Sequence, residues 1–157
     1  MPKEIERKFL LAGDDWRALA DGIFLCQGYL AAGPECAVRV RIAGASAWIG
    51  VKGKTSGATR REFEYPIPVD HAREMIETLA ERPLIEKTRY AVPFAGHIWE
   101  VDEFAGENKG LIIAEIELES EDEPFEKPAW IGREVTGDPH YYNANLVKYP
   151  FTLWGNG

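Results

Sequence analysis

Cysteine is scarce in this 157-residue chain: Cys26 and Cys36 form neither a Cys-x-x-Cys pair nor a Cys/His cluster. That excludes a disulfide framework and a zinc site of ordinary ligand spacing, and predicts two reduced, structural thiols. Long apolar runs are also missing. No stretch approaches the roughly 20 residues of a membrane helix, and the opening MPKEIERKFL turns charged at once, which excludes a signal peptide. A cytoplasmic protein without a membrane partner is the expectation. Cations are outnumbered, 18 Lys and Arg against 26 Asp and Glu for a formal charge of −8. Such a balance argues against binding along a nucleic-acid backbone. With 45% hydrophobic residues and no repeat, linker or low-complexity tract, a single domain over 1–157 is predicted.

What the chain does have is alternation of period two. Segments 4–10, 24–30, 37–42, 47–52, 61–68, 86–92, 97–104 and 110–119 each change sidedness residue by residue, as strands with two unlike faces do. They make eight. Ala-Gly-Pro and Ala-Gly-Ala read as turns between the early strands, and Pro93–Gly96 as the turn of a hairpin. Helices are fewer. Residues 14–20 predict a short one. A second starts at Asp70 as its cap, places Ala72, Met75, Ile76, Leu79 and Ala80 at three- and four-residue spacings, and stops at Arg82-Pro83. Pro128 predicts the first turn of a helix that includes Trp130, and 141–149 a terminal helix. Trp48 and Trp99 read as packing residues on strands. The class is mainly β (α+β).

One face of strand after strand is charged. Glu4, Glu6 and Lys8 alternate with Ile5 and Phe9; Arg39 and Arg41 with Val38, Val40 and Ile42; Lys52 follows Ile49 and Val51. Glu62 and Glu64, Lys87 and Arg89, Glu100 and Asp102, and Glu115, Glu117 and Glu119 repeat the pattern. Arg7 falls on the opposite face. A sheet with one solvated face would mix Ser, Thr and Gln with its charges, whereas here neighbours on a strand repeat one sign. Like charges at i, i+2 lie about 7 Å apart and repel unless an opposite charge stands between them. If the strands close into a barrel with this face inward, Arg and Lys form one wall and carboxylates another. A polyanion bridged to the acidic wall by an oxygen-preferring divalent cation, Mg²⁺ or Mn²⁺, matches both walls.

These motifs resemble the CYTH proteins, or triphosphate tunnel metalloenzymes. Glu4-Ile5-Glu6-Arg7-Lys8 matches the family's N-terminal signature. Gln27-Gly28-Tyr29-Leu30, Arg39-Val40-Arg41, Val51-Lys52-Gly53, Glu62-Phe63-Glu64, Glu86-Lys87-Thr88-Arg89-Tyr90, Val101-Asp102-Glu103-Phe104 and Ala114-Glu115-Ile116-Glu117-Leu118 follow in order. The compact length is most similar to the small bacterial members, which include inorganic triphosphatases. The resemblance implies an eight-stranded antiparallel β-barrel tunnel with helices packed outside. It implies Glu4, Glu6, Glu115 and Glu117 as metal ligands, and Lys8, Arg39, Arg41, Lys52, Lys87 and Arg89 as the grip on the phosphates. Glu62, Glu64 and Asp102 are further acidic tunnel positions. It further implies Tyr29 beside Lys87 as a hydrogen-bonding pair near the reacting phosphate, with Lys87, Tyr29, Glu4 and Glu6 as the catalytic candidates. Tyr141, Tyr142, Asn143 and Asn145 resemble a C-terminal segment that packs near one tunnel end.

The expected activity is metal-dependent hydrolysis of inorganic tripolyphosphate to pyrophosphate and phosphate. Class IV-type adenylate cyclisation, thiamine triphosphate hydrolysis and a non-catalytic polyphosphate-binding module are the alternatives, and a homodimer is left open. The seven acids and six bases of this candidate tunnel carry a net −1, so −7 of the −8 lies elsewhere.

Overall fold

A computed structural model of the chain describes residues 3–154. Among them are β1 (Lys3–Leu11), β2 (Gly22–Ala32), β3 (Cys36–Ala43), β4 (Ser46–Gly53), β5 (Thr59–Ile67), β6 (Ile85–Phe94), β7 (His97–Phe104), β8 (Ile112–Glu117) and β9 (Ile131–Glu134). Two α-helices, α1 (Val69–Leu79) and α2 (Asn143–Lys148), and four short 3₁₀ turns complete the chain. Hydrogen bonding runs in the order β5-β4-β3-β2-β6-β7-β8-β1-β9, and β1 also pairs with β5. Every pairing is antiparallel. The first eight strands therefore close a ring.

Closure leaves a seam. β1 pairs with β5 only over Lys3–Ile5 against Arg61–Thr59, then takes up β9 from Phe9 onward along the same edge. Between them the Glu6 amide donates to the Ala58 carbonyl and the Lys8 amide to the Thr136 hydroxyl. β9 lies outside the ring as an extension, where a helix beginning at Pro128 was expected. The Ile131 amide instead bonds the Pro128 carbonyl in a turn, and Trp130 enters the core at 6% exposure.

Two local features set the faces. β2 has an irregularity between Tyr29 and Ala31, so that Tyr29 sits opposite Arg39 while Ala32 sits opposite Ala37. Both residues then face the interior. The hairpin from β6 to β7 turns on Ala95 (φ 48°) and Gly96 (φ 83°), the positive pair that a two-residue turn between twisted strands requires. α1 packs across the outside of β2 at Gly28, where a Cβ would come within 2.8 Å of Ala80 and 3.2 Å of Ile76. The cap of α1 is corrected: Pro68 occupies that position with no side-chain hydrogen bond, and Asp70 lies in the first turn. There its charge suits the helix dipole. The predicted terminal helix breaks into a 3₁₀ turn (Pro139–Tyr141) and α2, because Tyr142 takes an extended conformation (φ −74°, ψ 133°).

Apolar packing lies mainly outside the ring. Phe9, Trp16, Trp99, Val101, Ile116 and Leu118 are buried with Trp130, and Val40, Ala47, Ala72 and Ile76 join β3 and β4 to α1. A third cluster fills one end of the interior: Tyr29, Ala37, Ile85, Phe104 and Ile113 pack with Leu146 and Val147 of α2. The C-terminal segment thus closes that end, as the sequence implied.

Candidate active site

Inward-facing positions above that plug are charged. Register pairs Glu6 with Glu117 and Lys8 with Glu115 across β1 and β8, Glu100 with Glu115 across β7 and β8, and Lys52 with Glu62 across β4 and β5. Arg39 of β3 stands opposite Gly50, itself opposite Glu64. The absence of a side chain at Gly50 opens space between them, and the Arg39 guanidinium reaches Glu64 at 3.4 Å. A cavity of about 480 Å³ runs along this face. Of the fourteen predicted site residues, twelve line it; Lys87 and Asp102 share the inward faces of Arg89 and Glu100 but are buried among their neighbours, each 1% exposed.

The two signs interlock. Lys8 Nζ lies 3.4 Å from Glu115 and 3.6 Å from Glu6. Lys52 Nζ lies 3.2 Å from Glu4 and 3.6 Å from Glu62. Arg41 reaches Glu64 at 3.4 Å, and Trp48 supports its guanidinium from 5.0 Å. Trp48 therefore belongs to the inner face at the open end, opposite Arg41 in register, and its expected role in strand packing is corrected. Trp99 does pack, fully buried. Lys87 pairs with Asp102 at 2.8 Å, and Arg89 forks onto the same carboxylate at 2.7 and 2.9 Å. The expected Tyr29–Lys87 hydrogen bond is not among the contacts of the described residues. Tyr29 stands opposite Arg39, whereas Lys87 stands opposite Leu25, four residues away along β2.

The protonation pattern shows where charge is in excess. Burial, then Glu115, push Glu6 up to about 8. Burial also raises Glu4, with help from Glu62, and it raises Glu117 and Glu100. For Glu115 burial works the same way, but Lys8, Arg89 and Lys87 outweigh it and hold this carboxyl well below the usual range. Burial is overcome at Asp102 too, lowered by Lys87 and Arg89. Lys87 itself is lowered to about 8, by burial against the pull of Asp102. Four carboxyls on or beside β1 and β8 thus resist ionisation, the condition that a bound cation relieves. Glu4, Glu6, Glu115 and Glu117 offer the hard oxygen donors that Mg²⁺ and Mn²⁺ prefer. Their chemistry suits a divalent metal, while among the described residues no three such side chains stand close enough together to ligate one ion.

Sequence reasoning left several cavity residues outside the candidate site, among them Arg60, Glu100, Lys54 and Tyr142. Arg60 takes the first inward position of β5, opposite Glu4, because that strand begins at Thr59 rather than at residue 61. Glu100 was visible on the charged face of β7 and lines the cavity. Tyr142 sits with its ring 5.8 Å from Lys8 Nζ. Adding Glu100, Arg60 and Lys54 gives eight acids and eight bases, so the interior formal charges balance. Glu119 falls beyond β8, Lys54 lies just past β4 but still lines the cavity, and Arg7 points outward to Glu134 at 2.6 Å.

Comparison with known proteins agrees with this geometry. The family model described as "CYTH domain" matches residues 2–147. An inorganic triphosphatase of Acetivibrio thermocellus is 54% identical over 151 residues, covering 96% of this chain and 97% of that protein. An inorganic triphosphatase of Nitrosomonas europaea is 37% identical over 152 residues, covering 92% and 96%. Among solved structures, that of the inorganic triphosphatase NE1496 superposes with a TM-score of 0.66 at 33% identity, covering 98% of this chain and 99% of the other.

Proposed function

The chain belongs to the CYTH family, and we propose from that premise that it is a metal-dependent triphosphatase cleaving inorganic tripolyphosphate to pyrophosphate and phosphate. The observation that carries this reading is the confrontation of an acidic wall on β1 and β8 with a basic wall on β3, β4 and β6 across one cavity. Phosphoryl transfer asks a protein chiefly for positioning and charge neutralisation, and both walls supply them. Arg39, Arg41, Lys52 and Arg89 hold the phosphates from one side, with Lys8 from the other. Lys87, buried beside Asp102, completes the ion-pair set that fixes Arg89. A charged fork held on a buried carboxylate has little freedom to lose when substrate arrives. Tyr29 lines the cavity between Lys8 and Arg39 and offers its hydroxyl to a phosphate oxygen.

Held by Glu4, Glu6, Glu115 and Glu117, a divalent cation would neutralise phosphate charge and lower the pKa of water. Mg²⁺ or Mn²⁺ is the ion we assign. Glu4 or Glu6 accepts the proton of the attacking water, a role suited to carboxyls that burial raises above the usual range. Glu62 and Glu64 keep Lys52, Arg39 and Arg41 aimed inward. Among the described residues no helix is long and apolar enough to cross a membrane. Both cysteines are free thiols, consistent with a reducing cytosolic setting, which we propose.

The test offers the purified protein tripolyphosphate, ATP, thiamine triphosphate and pyrophosphate with Mg²⁺ or Mn²⁺, following phosphate release and cyclic AMP together. Fastest phosphate release from tripolyphosphate is expected. Cyclic AMP from ATP would make it a cyclase, thiamine triphosphate as the best substrate would reassign specificity, and no product from any of them would leave a binding module.

A further inference from the structure

We propose that Arg60 is a substrate-binding residue that grips the third phosphoryl group and so sets a preference for triphosphates over diphosphates. This rests on reading the cavity as a triphosphate site. Each of the six predicted cations already has a carboxylate within 4 Å. Arg60 has no such partner among the described residues, and its Nε is buried without a hydrogen bond. A guanidinium nitrogen left so is unfavourable until an anion reaches it. Substrate is the anion the cavity is built for.

Its place on the wall decides which phosphate it meets. Inward residues of β5 run Glu64, Glu62, Arg60, standing opposite Gly50, Lys52 and Glu4 in turn. Arg39 is level with the first of these and Arg60 is the last, two pleats further on, or about 13 Å along the strand. The two arginines therefore approach the cavity from opposite ends, each with a fork able to take two phosphate oxygens. Arg60 also lines a bay of about 20 Å³ at the barrel seam, beside Lys8 and Tyr142. That bay has room for little more than one water, so the guanidinium's outlet for an anion is the main cavity. A pyrophosphate held at the level of Arg39 and Lys52 stops short of Arg60; a third phosphoryl group extends to it.

Calorimetric titration with sodium tripolyphosphate and with sodium pyrophosphate in metal-free buffer separates this role from a structural one. Arg60→Gln is expected to bind tripolyphosphate more weakly by at least about tenfold, equal to about 1.4 kcal/mol, while its affinity for pyrophosphate changes by less than about twofold. Arg60→Lys, which keeps the charge, recovers part of the loss. An equal loss for both ligands, or no loss for either, overturns the proposal. If a lowered thermal midpoint shows Arg60→Gln to be misfolded, Arg60→Lys decides alone: tripolyphosphate must weaken more than pyrophosphate. A wild type that binds tripolyphosphate without releasing phosphate when Mg²⁺ or Mn²⁺ is added contradicts the proposed hydrolysis, yet the two affinities still decide the role of Arg60. A wild type that binds neither anion overturns both.

Discussion

The two faces of β1 are one residue apart in sequence and opposite in what they do for the fold. Outward, Phe9 is fully buried, with its ring 5.5 Å from Trp99, in a cluster continued by Val101, Ala114 and Ile116. Inward, Glu6 and Lys8 are removed from water beside Glu115 and Glu117, and burial pushes Glu6 toward its neutral form. Folding free energy is therefore gained on the outer face, while the inner face gives some of it up to keep charges in place. Buried ion pairs with incomplete compensation are seldom a source of stability. Their retention here marks the inner face as the functional one.

Substitutions on either face can break or sharpen this contrast. Trp99→Ala, on the outer face, is expected to cost about 3–5 kcal/mol of stability in chemical denaturation, with turnover per folded molecule kept. Glu6→Gln, on the inner face, should lower metal-dependent phosphate release by about 100-fold or more, or about 2.7 kcal/mol of transition-state stabilisation, in steady-state assays. Normal turnover in that variant would remove Glu6 from the site. Arg41→Ala should raise KM or lower kcat by at least about tenfold, from losing a charge-assisted contact of roughly 1.5–3 kcal/mol. Smallest is the outer ion pair: Arg7→Ala should shift stability by under about 1 kcal/mol and leave kinetics untouched, since Arg7 and Glu134 are both partly solvated. A kinetic defect there would blur the distinction between the faces.

The strands were legible because alternation is a property of a few adjacent residues. All eight segments became strands, and the sign of each inner face was readable before any pairing was known. What the sequence could not show depends on pairing or on small backbone irregularities. The irregularity at Leu30 is invisible in Gln27-Gly28-Tyr29-Leu30, yet it lets Tyr29 and Ala32, three residues apart, face the same side. Arg60 shares the parity of Glu62 and Glu64 but was missed because the expected strand begins at residue 61, and only the pairing with β1 extends it back to Thr59. Residues 131–134 lack a long alternation and become a strand only because β1 has a free edge beyond its closure with β5. Trp48 shares its parity with Lys52, a signal present in the sequence and outweighed by the usual behaviour of tryptophan on strands.

The central claim, that the inner face trades stability for a metal–triphosphate site, is tested most directly by the thermal midpoint of wild type and Glu6→Gln, both free of metal, between pH 5 and 9. In the folded protein Glu6 is raised from 4.5 to about 8, so between those values the folded chain keeps a proton that the unfolded chain releases. Wild-type stability should fall as pH rises through that window, with Glu4, Glu100 and Glu117 acting in the same direction. Glu6→Gln should show a shallower fall and a higher midpoint than wild type at pH 9, while having lost turnover. A variant less stable than wild type at every pH would contradict the account, since Glu6 would then be holding the barrel together rather than serving its chemistry.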